Sequence, residues 1–459
     1  MSGMEPTTED GTVTSADRRL AETAPRYTSY PTAPHFHAGV DEATVSRWID
    51  AIPDGDAISL YLHIPYCDRL CWFCACHTKQ THRYEPVARF LRSLHAEIET
   101  VAASIGTRTR VAAIHFGGGS PTMLAPADFR ELVARLRAAF KGADTAELSV
   151  EIDPNDMTEE KLDVLAGAGL TRASLGVQDF DPKVQQAINR EQSFELTRSV
   201  VEGLRRRGVR SLNLDLLYGL PHQTVDSVKS TVAQALTLRP DRIALFGYAH
   251  VPWFKKHQTM IDDAWLPDGP ARLEQSLAAA KLIVEAGYVP IGIDHFALPT
   301  DSLTQAAAAG RLHRNFQGYT DDPCETLIGL GPSSVSRYRQ GYAQNVTATL
   351  DYQRQVDTGH LAIARGVELS EDDRVRSWVI ERLMCDFGFS ADEAVARFGH
   401  ASAPVLSEAA MLAQTDRETL CARGDRYDVP AAARPYVRTI AARFDAYLAN
   451  GAGRHSLAV

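Results

Sequence analysis

From about residue 57 the chain alternates between two hydrophobic rhythms. Ala57-Ile58-Ser59-Leu60-Tyr61-Leu62-His63-Ile64 puts apolar side chains at every second position, the period of a strand, and Pro65 stops it. Val87, Phe90, Leu91, Leu94, Ile98 and Val101 then recur at the spacing of an amphipathic helix. Val111-Ala112-Ala113-Ile114-His115-Phe116 predicts a second strand, ending in three glycines, and Phe129, Leu132, Val133, Leu136 and Phe140 mark a second helix. The alternation continues with strands expected at 147–153, 172–178, 211–219 and 242–250, and helices between them, such as 225–236. A further strand is expected at 290–296.

Alternation of strongly apolar strands with helices predicts an α/β fold with a parallel sheet covered by helices, and six such units predict a partial or full β/α barrel. Polar residues gather where these strands end: Cys67, the loop 117–120, Glu151, Gln178, Asp215 and the segment 248–250. In a barrel that is the end where active sites sit. Beyond about residue 365 the strand signal fades, and 369–399 reads as two helices. The expected organisation is an N-terminal tail and lid-like segment (1–55), a barrel with an extension (56–364) and a small, mostly helical C-terminal domain (365–459). Residues 1–25 read as a loosely attached tail, and PRYTSYPT (25–32), with two prolines, as a structured loop.

Composition narrows the class. At 459 residues the chain is long enough for two or three domains, and 44% hydrophobic with 23% charged residues suits a soluble globular protein. No apolar run approaches the roughly 20 residues that cross a bilayer, and the polar first residues carry no secretory h-region, so a cytoplasmic location without membrane contact is expected. The net charge of −10 argues against a nucleic-acid partner. The most basic run, Arg205-Arg206-Arg207-Gly208-Val209-Arg210, reads as cations at the carbonyl end of a helix with glycine as the stop.

Of seven cysteines, four lie in one ten-residue stretch, and Cys324, Cys385 and Cys421 are scattered. A clustered, odd set points to metal or redox use and away from a disulfide framework. Cys67-x3-Cys71-x2-Cys74 is one group of three, whereas structural zinc needs four ligands, usually in two separated pairs; a zinc site would have to recruit Cys76, His77 or His63. A four-iron cluster held by three thiolates leaves one iron open, and that iron can chelate S-adenosylmethionine. Cys76 stands outside this spacing as a ligand, a redox partner or a packed residue, and the reading favoured is an active-site thiol that is not a ligand. The loop Gly117-Gly118-Gly119-Ser120-Pro121 either exposes its backbone to a ligand or makes a tight turn. Glu151 and Asp215, at strand ends, can hold a ribose hydroxyl or cap a helix.

Several segments together resemble one family. PRYTSYPTA (25–33), YLHIPYCDRLCWFCAC (61–76), HFGGGSPT (115–122), VEIDP (150–154), LGVQDF (175–180), INREQ (188–192), LDLLYGLP (214–221), DHFA (294–297), HRNFQGYT (313–320) and YAQN (342–345) are similar to the oxygen-independent coproporphyrinogen III oxidases, a radical-SAM family of tetrapyrrole synthesis. The three-cysteine motif marks only the superfamily, while Cys76, PRYTSYPTA and HRNFQGYT are particular to this branch. Ser120 departs from the threonine common in the family, and Thr326 stands where aspartate is expected.

The resemblance implies a partial radical-SAM (β/α)6-type barrel that binds a [4Fe-4S] cluster and two S-adenosylmethionine molecules. It assigns Cys67, Cys71 and Cys74 as cluster ligands. Tyr61, Phe73, Gly118, Glu151 and Val335 would contact the first S-adenosylmethionine, and Gly119, Ser120, Gln178, Arg190, Asp215 and Ala249 the second. Cys76 is the candidate catalytic thiol. The implied reaction turns two propionates of coproporphyrinogen III into vinyl groups, giving protoporphyrinogen IX without oxygen. It needs an electron donor such as a flavodoxin-type reductant and an unidentified acceptor, and the chain is expected to act as a monomer. A haem-binding carrier and a haem-modifying relative are the alternatives. Arg26, Arg190 and Arg314 are candidates to hold the substrate carboxylates, with Tyr27 and its segment as a lid.

Overall fold

The computed structural model describes residues 23–448; most of the tail expected at 1–25 lies outside the described residues. Six parallel strands carry the architecture: β1 (Ala57–Ile64), β2 (Arg110–Gly118), β3 (Glu147–Ile152), β4 (Arg172–Gln178), β5 (Ser211–Tyr218) and β6 (Arg242–Gly247). They lie side by side in chain order. A seventh strand, β7 (Thr326–Leu330), pairs parallel with β1 on its free side. The sheet continues antiparallel at both margins, to 12 strands in all, and its two end strands do not pair with each other. The fold is therefore a partial barrel.

Period-two patterning explains the layers. On β1 the side chains of Ile58, Leu60, Leu62 and Ile64 are essentially inaccessible and face the helices, while Ser59, Tyr61 and His63 take the other face. The covering helix Glu85–Ile105 buries Val87, Phe90, Leu91, Leu94, Ile98 and Val101, the residues its spacing predicts. Helix starts are set by local chemistry. Thr158, Ser193 and Asp268 each accept a backbone N–H of their own first turn, and Thr224 forms a capping box with Ser227. The arginine run ends the helix Phe194–Arg206 as expected. Arg205 donates to the Leu238 carbonyl, Arg207 pairs with Glu159 and Asp163, and Gly208 takes the left-handed conformation.

Three expectations shift. The stretch 290–296 is a tight hairpin of Val289–Ile291 and His295–Ala297, because Gly292 turns the chain at φ 57°. Strand β6 stops at Gly247, so Tyr248 to His250 lie on the loop after it. The strand Ile363–Glu368 crosses the boundary expected at 364/365 and pairs with Gly341–Asn345, so the sheet runs on to Glu368.

Beyond Glu368 the chain builds a core of its own around Val379, Leu383, Phe389, Val405, Val437 and Phe444, with a three-stranded sheet among its helices. Tyr27 and Tyr30 belong to this core. The segment read as a lid is thus fastened down: Tyr27 is 5% exposed and its hydroxyl donates to Asp445 at 3.0 Å. Nor are 23–55 all tail, because the helix Glu42–Asp50 buries Val45, Trp48 and Ile49 in the main core.

Candidate active site

Parallel register fixes the barrel interior. Tyr61 pairs with His115, His115 with Ser149, Glu151 with Ser174, and Gly176 with Asp215. All open onto or stand behind one cavity of about 790 Å³. Cys67, Cys71, Cys74 and Cys76 form part of its wall, as do Phe73, Gly118, Gly119 and Ser120. Glu151, Gln178, Arg190, Asp215 and Ala249 complete the set of expected residues that line it. Two expected residues do not. Tyr61 stands behind His115, stacked on it at 5.8 Å. Val335 packs on the cluster of Phe36, Tyr342 and Val367.

The cysteine loop is held from both sides. On one side the Trp72 N–H donates to the Ile188 carbonyl at 3.0 Å, and Asn189 Nδ2 to the Leu70 carbonyl at 2.9 Å. On the other, Lys255 Nζ donates to the Cys76 carbonyl at 2.9 Å, and Gln258 Nε2 to the Phe73 carbonyl at 2.9 Å. His257 Nε2 lies 2.7 Å from the Cys74 carbonyl. The segment Lys255 to Gln258 has no apolar period and no family motif, so nothing in the sequence marks it as part of the site.

The donor set fits a cluster better than a single ion. His63 and His77 are already engaged, His63 Nε2 with the His77 carbonyl and His77 Nε2 with the Thr347 carbonyl, both at 2.7 Å. Among the described residues no three His, Cys, Asp or Glu side chains converge as one metal ion requires. A four-iron cluster asks each thiolate to reach a different iron, which suits three thiols spread over one loop. Burial pushes the free Cys67 thiol up to about 12, against the Thr78 hydroxyl at 3.0 Å, and raises Cys71 too. Hydrogen bonding from Cys76 draws the Cys74 thiol down against the effect of burial and so favours its thiolate. The Cys76 N–H points at Cys74 Sγ at 3.4 Å, so Cys76 supports a neighbouring sulfur.

Oxygen-independent coproporphyrinogen III oxidase of Bradyrhizobium diazoefficiens is 48% identical over 439 residues, covering 95% of this chain and 98% of that one. The chain belongs to the oxygen-independent coproporphyrinogen III oxidases. The Paracoccus denitrificans member of this family is also 48% identical, with 95% and 96% of the two chains covered. Residues 61–235 of this oxidase match the Radical SAM superfamily. The solved coproporphyrinogen III oxidase of Escherichia coli, described as a radical SAM enzyme, superposes with a TM-score of 0.88 at 36% identity, over 92% of this chain and 97% of that one.

The polar residues of the oxidase cavity form two connected groups. Glu151 accepts the Gly118 N–H at 3.1 Å and lies 3.3 Å from His115 Nε2. Burial works to raise this carboxyl, but His115, the Gly118 amide and His63 together hold it below the ordinary range. The glycine loop serves this packing as well as any ligand. A Cβ on Gly117 would meet the Glu151 carboxylate at 2.7 Å, and one on Gly118, at φ 111°, the His63 ring at 2.6 Å. The second group centres on Arg190, whose Nη1 donates to Asp153 at 3.0 Å and approaches Cys71 Sγ at 3.5 Å, while Nη2 donates to the Gly176 carbonyl at 2.7 Å. Burial opposes the guanidinium charge; Asp153 and Cys71 outweigh it and raise the pKa. Arg190 Nε is buried without a partner, a donor left for a ligand.

Asp215 accepts Ser174 Oγ and Asn213 Nδ2, both at 2.7 Å, and burial and Glu151 push its carboxyl up. The Ser120 hydroxyl is spent on Asp156, and its N–H on the Tyr66 carbonyl at 2.7 Å. Gln178 sits at φ 66°, a conformation unusual for its residue type and concentrated at functional sites, while Asn189 at φ 54° follows the end of the helix Pro182–Ala187, where left-handed asparagine is common.

Proposed function

We propose that this chain converts two propionate side chains of coproporphyrinogen III to vinyl groups, yielding protoporphyrinogen IX without molecular oxygen. Each propionate loses one hydrogen atom and carbon dioxide, and one electron passes to an acceptor. When bound, the cluster and S-adenosylmethionine supply the electron and the 5′-deoxyadenosyl radical that abstracts the hydrogen. Cys67, Cys71 and Cys74 hold the cluster. Phe73, Gly118 and Glu151 receive the first S-adenosylmethionine, while Tyr61 stacks on His115 and Val335 packs against Phe36, Tyr342 and Val367. Gly119, Ser120, Gln178, Arg190, Asp215 and Ala249 receive the second. Carboxylates suit ribose hydroxyls, and a fixed guanidinium suits a carboxylate. The acid group of Glu151 is already held ionised by His115 and Gly118. Cys76 works as a thiol beside the cluster and not as its ligand. The reductant and acceptor are external, the chain acts alone in the cytoplasm, and neither nucleic acid nor membrane takes part.

The observation that carries this reading is that one cavity of about 790 Å³ is lined by four free thiols, three of them in the Cys67-x3-Cys71-x2-Cys74 spacing, and by Arg26 and Arg314. That volume lies within the roughly 300–1,000 Å³ of sites that enclose small organic ligands. A tetrapyrrole with four carboxylates matches both the space and the cations. The test is an anaerobic incubation of reconstituted protein with reductant, S-adenosylmethionine and coproporphyrinogen III, analysed by chromatography after oxidation. The reading expects a divinyl product and two carbon dioxide per substrate. A methylated or ring-opened tetrapyrrole would reveal a haem-modifying enzyme, and haem binding without turnover a carrier.

A further inference from the structure

The arginines around the cavity differ in how their charge is matched. Arg190 has Asp153 at 3.0 Å, Arg172 has Glu147 at 2.6 Å and Asp321 at 3.2 Å, and Arg242 has Asp301 at 2.8 Å. Arg314 is 8% exposed and its backbone N–H donates to Glu381 at 3.2 Å, yet among the described residues the carboxylate paired with its guanidinium, Asp294, is 3.8 Å away and already lies 2.6 Å from His295 Nδ1. Its guanidinium lies over the Tyr319 ring at 4.5 Å, and its Nη1 has no hydrogen-bond partner. Arg26 donates to the Gly247 carbonyl at 2.8 Å, and among the described residues no carboxylate stands within ion-pair distance of it. It keeps accessible surface although protein surrounds it, because that surface faces the cavity.

Arg272 and Arg438 stand close to this pair and add to the positive field, while the Asp294 carboxylate acts on Arg26, Arg314 and Arg438 alike. Burial, and then the neighbouring Arg26, push Arg438 down to about 9, while Tyr218 and Asp294 work the other way. Buried guanidinium groups without matching anions are costly, and a bound carboxylate relieves that cost.

The pair is also positioned with care. Arg314 Nε and Nη2 both reach the Arg26 carbonyl at 3.4 Å, which links the two residues. The backbone is gripped on either side of Arg26 by the C-terminal domain. Arg438 donates to the Ala24 and Pro25 carbonyls, the Tyr27 hydroxyl donates to Asp445, and the Ala446 N–H donates to the Tyr30 hydroxyl at 3.1 Å.

We propose that Arg26 and Arg314 together bind a propionate carboxylate of the substrate, and that the C-terminal domain serves the site by holding Arg26 at the barrel mouth. This rests on the function proposed above and adds the contact that recognises the substrate. Two planar guanidinium groups can share the two oxygens of one carboxylate. Arg190 is set aside for this task because Asp153, Gly176 and Cys71 already hold it.

Coproporphyrin III, the unreactive oxidised form of the substrate, tests the pair without turnover. It is titrated into reconstituted protein under anaerobic conditions while its fluorescence is followed. Arg26→Gln and Arg314→Gln are each expected to raise Kd about ten- to a hundredfold, the range of a hydrogen bond to a charged group. Arg26→Lys should lose less, and coproporphyrin tetramethyl ester should bind the parent no better than the acid binds Arg26→Gln. Arg26→Gln binding the acid as tightly as the parent overturns the proposal. Should Arg314→Gln fail to fold, as circular dichroism would report, Arg26→Gln decides alone. If the parent itself binds no coproporphyrin III, the functional reading falls and the clamp with it.

Discussion

Single residues at the cysteine loop have separable jobs. Cys71 lies beside Arg190, and Cys76 donates its N–H to Cys74. Cys71→Ser is expected to abolish cluster assembly, whereas Cys76→Ser keeps near-parental iron while activity falls; iron and sulfide analysis of the two variants checks this, and iron loss in the second would make Cys76 a ligand. Glu97 gives a pH prediction outside the site. It is 2% exposed and accepts from Gly331 N, Asn345 Nδ2 and Tyr352 Oη at 2.6, 2.7 and 2.7 Å, yet burial pushes it up to about 7 from 4.5. Between those values the native state keeps a proton that the unfolded chain has lost, so stability falls as pH rises through the window and levels off above about 7. Urea unfolding of Glu97→Gln should lack that fall relative to the parent; parallel pH profiles would contradict the assignment.

At the scale of elements, legibility tracked period and motif. The strands β1 to β5 were visible within one or two residues because each is a short apolar run stopped by a proline, glycine or polar residue just at or beyond its end. The hairpin at Gly292 was not, since its residues also fit one continuous apolar strand. Tyr27 looked like part of a lid because its segment is polar and proline-rich; its anchor, Asp445, lies 418 residues away. Lys255 to Gln258 were missed for the same reason, as their partners Phe73, Cys74 and Cys76 are remote in sequence. Gln258→Ala removes the bond to the Phe73 carbonyl and a 3.2 Å bond to the Ala249 carbonyl. Each such buried bond is worth roughly 1 kcal/mol or more, so faster iron loss to a chelator is expected, with the fold intact by circular dichroism. Tyr27→Phe, which frees the anchor of Arg26, should raise KM for coproporphyrinogen III more than it lowers kcat. The reverse pattern would place Tyr27 in the chemistry.

Across the whole molecule, the partial barrel supplies a polar interior, the cysteine loop closes one side of its mouth, and the C-terminal domain fastens the segment that brings Arg26 to the other. Among the described residues no helix is long and apolar enough to cross a membrane. Of the candidate site, the thiols, Glu151 and Asp215 were legible from spacing and strand ends, whereas Arg190, on the loop after the helix Pro182–Ala187, came from the resemblance. Tyr61 and Val335 were placed at the cavity by resemblance, and in the structure Tyr61 stacks on His115 while Val335 packs against Phe36, Tyr342 and Val367. The barrel exists to bring a propionate within reach of the radical generated at the cluster, so the most direct measurement traces one atom. Coproporphyrinogen III deuterated at the propionate carbons β to the carboxylate is turned over anaerobically, and the 5′-deoxyadenosine formed is examined by mass spectrometry. Transfer of one deuterium into it is the expected result; divinyl product accompanied by unlabelled 5′-deoxyadenosine would contradict the account.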